Sequence, residues 1–370
     1  MKKILLSLAG IAFAFACQAQ STLTFKLSDL KSDTVKVVIF DKTMHGMEKE
    51  DRIVAKDGVF SYSCDADKAR FAMFSVMTEN GSRRMQAFFF PGENGMLKGT
   101  TEHATWSGGK FYSELAAADK LTEETEAKLN QVMKEYNEKI KAGENRDALE
   151  QTYSPLYDSL SGELADIQSK YIKNHPGSNV CPTFFVRMEL EDVEKALSTL
   201  KPEVKAGPMS DIVTAFQMMV DKEKARKEAS KTVADGCVAP DFTLNDIEGK
   251  PFSLSSLRGK YVVLDFWGSW CIWCIRGMPE MKNYYAKYAG KFEIVGVDCN
   301  DTDQKWKDAV KKNELPWKHV YCPKGSDLLA KYAIQGFPTK IVIDPEGKIL
   351  KTVCGEDPDF YKFLDQTFTK

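Results

Sequence analysis

Apolar and polar positions alternate along this chain in three different rhythms. Between about Ser21 and Trp106 the apolar runs are short: Val35-Lys-Val-Val-Ile-Phe40, Gly58-Val-Phe-Ser-Tyr62, Arg70-Phe-Ala-Met-Phe-Ser-Val76 and Met85 to Phe90. Lys56-Asp-Gly58, Asn80-Gly81 and Pro91-Gly92 punctuate them. Runs of this length between turn signals predict strands, and together they predict a small antiparallel β-sandwich or barrel. From about Lys110 to Ser230 the apolar spacing becomes three or four. Leu129, Val132/Met133, Tyr136 and Ile140 form one stripe; Leu149, Tyr153, Leu156, Leu160, Leu164, Ile167 and Tyr171 form another. They predict an antiparallel helix pair parted at Gly143-Glu-Asn145 and stopped at Asn174-His-Pro-Gly177. Pro155, inside the second stripe, predicts a helix start or a kink. A further amphipathic stretch covers Ile212, Val213, Phe216, Met219 and Val220.

The third rhythm mixes both periods. Asp241-Phe-Thr-Leu244 and Pro251-Phe-Ser-Leu254 flank Glu248-Gly249 as a hairpin. Strands are predicted at Tyr261–Trp267, Phe292–Val297, Lys340–Ile343 and Lys348–Val353. Helices are predicted from Cys271 to Tyr288, Asp303 to Asn313, Ser326 to Tyr332 and Asp359 to Phe368. Strands that alternate with helices and then close in a hairpin predict a mixed sheet flanked by helices. The chain thus reads as multidomain: β-rich over residues 20–107, an α-helical connector over 108–232 and α/β over 233–370, an organisation suited to 370 residues.

The opening residues change the compartment. Lys2 and Lys3 precede an apolar stretch from Ile4 to Ala16 and then Cys17-Gln-Ala-Gln20. This is the plan of an export signal peptide over residues 1–19, with cleavage expected after Ala19. Ala14-Phe-Ala-Cys17 offers a second outcome, a lipid anchor on Cys17. No later stretch approaches the roughly 20 apolar residues of a transmembrane span, so an exported, periplasmic protein is expected. The net charge of −2 carries no basic footprint for nucleic acid.

Against that background the chemistry concentrates in Asp265-Phe-Trp-Gly-Ser-Trp-Cys271-Ile-Trp-Cys274. Two thiols stand two residues apart, after a strand and at the start of a helix, where free N–H groups and the helix dipole lower a thiol's pKa. Such spacing near a βαβ pattern reads as a dithiol–disulfide redox centre. A structural disulfide gains little from closing so small a loop. Zinc needs further Cys or His ligands, and none of the four histidines shows partner spacing. Asp265 interrupts an apolar run, and a buried carboxylate needs a partner or a proton.

Several dispersed motifs then agree in order and spacing: Ala239-Pro-Asp-Phe-Thr-Leu244, Leu257-Arg-Gly-Lys260, Val263-Leu-Asp-Phe-Trp267, Trp270-Cys-Ile-Trp-Cys274, Pro279, Gly336-Phe-Pro-Thr339 and Ile343-Asp-Pro-Glu-Gly-Lys348. By these motifs residues 233–370 resemble the TlpA/ResA-like thiol–disulfide oxidoreductases of thioredoxin fold. The resemblance implies that Cys271 is the exposed attacking thiolate and Cys274 the more buried resolving thiol. Asp265 would lie behind Cys274 and help to move its proton. It also implies a cis Phe337–Pro338 bond facing the thiols, with Phe337, Thr339, Trp270 and Trp273 forming the surface for an extended client segment. Pro279 would kink the active-site helix. The implied partners are disulfide-containing client proteins and a membrane-bound thiol electron donor. No cofactor is implied beyond the Cys271–Cys274 disulfide itself.

Two departures qualify the likeness. Ile272-Trp273 stands where a proline commonly precedes the second cysteine, so the direction of electron flow is not legible. Gly277 stands where some relatives carry a functional glutamate. Among the other thiols, Cys299 ends a strand on the edge that bears the active pair, either as a third redox partner or as a small buried residue. Three other functions compete with the reductase. A peroxiredoxin-like (AhpC/TSA-like) peroxidase shares the Ala-Pro-Asp-Phe motif but needs a Pro-x-x-x-Thr-x-x-Cys segment that Cys271 lacks. A partner-binding or assembly protein would use the redox domain as an auxiliary. Copper delivery would want wider thiol spacing and a histidine near Gly336.

Overall fold

In a computed structural model the chain is described over residues 20–79 and 81–369. The expected signal segment, Cys17 and Asn80 lie outside the described residues. Two compact units are present, the first ending at Val220 and the second beginning at Asp221.

In the first unit eight strands come in succession: β1 (Gln20–Leu27), β2 (Thr34–Phe40), β3 (Met47–Val54), β4 (Val59–Asp65), β5 (Arg70–Thr78), β6 (Gly81–Phe89), β7 (Gly95–Gly99) and β8 (Ala104–Gly108). They form two four-stranded sheets, ordered β4-β1-β7-β8 and β3-β2-β5-β6. Alternate residues of β1 (Leu23, Phe25, Leu27) and of β2 (Val35, Val37, Ile39) turn inward. Phe25 stacks on Phe60 at 4.6 Å and meets Phe74 of the other sheet at 4.5 Å, which closes the sandwich. The pairing is not wholly antiparallel, because β1 and β7 run parallel.

The helices α1 (Lys110–Lys141), α2 (Arg146–Asn174), α3 (Leu190–Thr199), α4 (Pro202–Ala206) and α5 (Ser210–Thr232) follow. The helices part at the expected separator, where Asn145 caps α2 by accepting from the Ala148 amide. Pro155 does not start this helix; α2 runs through it. Tyr112, Leu115, Ile172, Phe185, Val213 and Phe216 join the same continuous core as the sheets. Tyr112 is the link between helix and sheet. Its buried hydroxyl donates to Phe88 O (2.9 Å) and accepts from Phe90 N (3.1 Å). Tyr112→Phe should therefore cost about 1–3 kcal/mol, because two buried backbone groups lose their partner. An unchanged urea midpoint would contradict that account.

The second unit contains β9 (Thr243–Asn245), β10 (Pro251–Ser253), β11 (Tyr261–Trp267), α6 (Ile272–Lys287), β12 (Phe292–Cys299), α7 (Asp303–Lys312), β13 (Lys318–Cys322), α8 (Leu328–Lys331), β14 (Thr339–Ile343), β15 (Ile349–Cys354) and α9 (Pro358–Phe368). Its main sheet is ordered β13-β12-β11-β14-β15. β11 is central, parallel to β12 and antiparallel to β14. One face carries Val263, Trp267, Ile294, Met278 and Phe360; the other carries Val262, Leu264, Phe266, Val297 and Ile341. A mixed sheet in which β11, β12 and β13 run parallel and β14 antiparallel, with helices on it, is the thioredoxin arrangement. No described helix is long and apolar enough to cross a membrane.

Candidate redox site

The site grows from the carboxyl end of β11. A seven-residue strand buried on both faces, apolar but for Asp265, lies in the middle of a sheet, so the loop after it is held at the sheet's edge. Ser269 fixes that loop. Its amide donates to Asp301 Oδ2 (2.6 Å) and its hydroxyl to Asp301 Oδ1 (2.7 Å). The Trp270 indole N–H donates to Cys299 O (3.0 Å). Gly268 permits this, because a Cβ there would overlap the indole nitrogen. Asp301 escaped the sequence reading, since before a helix it looks like an ordinary capping residue.

Cys271 is the N-cap of α6, and its Sγ accepts from the Cys274 amide at 3.1 Å. The two sulfurs are joined, with S–S 2.07 Å and Cα–Cα 5.3 Å. Cys271 was expected to be the exposed member, yet both residues are only 5% accessible. Large neighbours stand around the pair instead: Trp270, Ile272 and Trp273 are 49%, 66% and 61% exposed. The Arg276 guanidinium lies over the Trp273 ring at 5.0 Å.

Across from this helix start stands the Gly336–Thr339 turn. The Phe337–Pro338 bond is cis. Phe337 packs edge-on against Trp270 at 5.2 Å, which brings the proline turn beside the disulfide. Pro338 is buried, and its carbonyl accepts from the Gly355 amide (2.7 Å). Thr339 faces inward, its hydroxyl donating to Gly336 O (2.8 Å), so it braces the turn rather than lining the surface. Pro279 lies inside α6, which continues through it.

Asp265 alternates along β11 with Val263 and Trp267, which places it on the face that carries α6 and the disulfide. Its Oδ1 has no hydrogen-bond partner. Burial pushes its carboxyl up to about 6, nearby Glu356 adds to the rise, and Lys340 opposes it. Directly opposite on β14 is Lys340, whose ammonium bonds Glu356 Oε1 at 2.5 Å. Neither partner of that buried pair was singled out from the sequence.

Cys299 does not join the disulfide. Its side chain belongs to the core on the other face of the sheet, register-paired with Cys322 of β13. Asp298 beside it is fully buried, and burial followed by the Asp301 carboxylate pushes it up to about 9.

The AhpC/TSA family profile matches residues 236–352. The thiol-disulfide oxidoreductase ResA of Bacillus cereus is 38% identical over 122 residues, covering 33% of this chain and 70% of that protein. ResA of Bacillus subtilis is 34% identical over 126 residues, covering 34% and 70%. Among solved structures, the thioredoxin domain of a thiol-disulfide oxidoreductase from Bacteroides vulgatus is 36% identical, with 36% of this chain and 98% of that one covered and a TM-score of 0.35. The matched region holds both cysteines, Asp265 and the Phe337–Pro338 turn, and the chain belongs to the ResA-like thiol-disulfide oxidoreductases.

Proposed function

We propose that the chain is an exported, periplasmic reductase of protein disulfides, working through Cys271 and Cys274. The observation that carries this reading is a disulfide at a helix N-terminus with an unpartnered buried carboxylate on the same face. In the reduced protein the Cys274 amide and the helix dipole favour the Cys271 thiolate. That thiolate attacks one sulfur of a client disulfide; the client's S–S bond breaks and the other client sulfur leaves as a thiolate. Cys274 then gives its proton to the Asp265 carboxylate and attacks Cys271 Sγ. The Cys271–Cys274 bond forms, the mixed disulfide breaks, and the second client thiolate is released. A membrane-bound thiol donor returns two electrons.

Trp270, Trp273 and Phe337 offer the client an apolar collar, with the Pro338 turn as the docking edge. Export rests on the first nineteen residues, with cleavage after Ala19 or a lipid on Cys17 as the maturation step. The test is insulin-disulfide reduction by dithiothreitol, followed as turbidity. The chain should shorten the lag severalfold, and a chain lacking both active cysteines should not. A lag unaffected by the intact chain would overturn the reading.

A further inference from the structure

Beneath the disulfide three ionisable side chains from three segments meet. Asp265 comes from β11, Lys340 from the position opposite it on β14, and Glu356 from the turn that follows β15. The Lys340 and Glu356 side chains are 3% and 19% exposed and are bonded to each other. Two carboxylates therefore compete for one buried ammonium, and Glu356 holds it. Asp265 keeps an oxygen without a partner.

A second observation ties this cluster to the redox helix. Gly277 follows Cys274 by three residues, which puts both on one side of α6. A Cβ at position 277 would overlap the Glu356 carboxylate. The missing side chain lets Glu356 lie against the helix that carries the resolving cysteine. The groups facing Asp265 are Lys340 from β14, Glu356 after β15 and the Tyr361 hydroxyl from α9; the Cys299 thiol of β12 feels its charge but packs on the other face of the sheet. Cys274 of α6 packs on the Asp265 side of the sheet. Burial pushes Tyr361 far up, so it stays neutral, and the same holds for Cys299, pushed up first by Cys322. Lys340 is the one cation in this set.

We propose that Glu356 and Lys340 are opposed positioning residues for Asp265: by holding the ammonium, Glu356 leaves Asp265 free to take and return the proton of Cys274. The inference rests on the redox reading above but is tested apart from it. Opposite charges a few ångströms away lower a carboxyl's pKa by about 1–3 units, and like charges raise it. Glu356→Gln frees Lys340 for Asp265 and removes a like charge, so Asp265 should bind its proton more weakly. Lys340→Gln removes the only cation and should have the reverse effect. Gly277→Ala displaces the Glu356 carboxylate and should follow Glu356→Gln.

The experiment is a carbon-13 NMR titration of the Asp265 carboxyl in the oxidised full chain, assigned by Asp265→Asn, with circular dichroism to confirm folding. The unsubstituted chain should titrate near 6. Glu356→Gln and Gly277→Ala should move the midpoint down by about one unit, and Lys340→Gln should move it up by a similar amount. Movement of Glu356→Gln and Lys340→Gln in the same direction, or of neither, overturns the proposal. Should Lys340→Gln fail to fold, a midpoint unmoved in Glu356→Gln and Gly277→Ala overturns it equally. A chain that titrates as expected yet leaves insulin unreduced would sink the redox reading and keep this one; the reverse result would do the opposite.

Discussion

Cys274→Ser is expected to stall the protein on its clients, and Cys271→Ser to leave it with no covalent partner at all. The two sulfurs are equally buried, so exposure does not distinguish their roles; position on α6 does. Cys271 caps the helix, where its sulfur already accepts an amide hydrogen, and a thiolate there gains from both that bond and the helix dipole. Cys274 sits inside the first turn, where its amide is spent on Cys271. An attack by Cys271 without a following attack by Cys274 leaves a client–Cys271 disulfide. Incubation of Cys274→Ser with an oxidised client should give a covalent adduct on a non-reducing gel that dithiothreitol dissolves. Turnover in either variant should fall by at least about 10³-fold, as when a member of a concerted catalytic group is lost. An adduct formed by Cys271→Ser, with none from Cys274→Ser, would reverse the assignment and move the nucleophile one turn into the helix.

How far this geometry was legible depends on the scale of each signal. β11 and α6 were readable to within a residue, because an apolar run broken by a single acidic residue and a paired-cysteine helix start are both local. β3 was not, since Met47–Val54 is charge-rich and lies at a sheet edge, where few inward positions demand apolar residues. β13 escaped because Lys318–Cys322 opens with Lys318 and His319 and has no apolar run long enough to mark a strand, unlike the equally short β14. The parallel pairing of β1 with β7 has no local sign at all, as it is fixed by which face each strand must bury. The site follows the same rule. The disulfide, Asp265 and Pro338 lie in motifs, whereas Lys340 reads as a strand's polar position and Glu356 as a solvated turn. Only the β14–β15 ladder, with Lys340 opposite Val353, carries the two into one interior. The expectation that Cys271 is exposed failed for a steric reason: its indole and isoleucine neighbours rise around it.

Replacing Asp265 by asparagine should make the protein more stable at neutral pH and slower as a reductase. The folded state holds this carboxyl's proton up to about 6, well above the roughly 3.9 of an unperturbed aspartate, which stands for the unfolded chain. Folding therefore favours the protonated form. The stabilising contribution of that proton is complete below the unfolded value and is lost as pH rises through about 6; above 7 the buried carboxylate costs about 3 kcal/mol. Asparagine has nearly the same shape and no charge, so its advantage should be near zero at pH 4 and approach that figure by pH 8. Urea denaturation of the oxidised proteins across this range measures the difference, and an asparagine variant no more stable at pH 8 would refute the burial argument. The same substitution removes the acceptor for the Cys274 proton. Insulin reduction should slow by about a hundredfold, the lower end of what a positioned acid–base group contributes. A chain that keeps so costly a carboxylate must gain from it elsewhere, and resolution of the mixed disulfide is the step where an accessible proton acceptor counts.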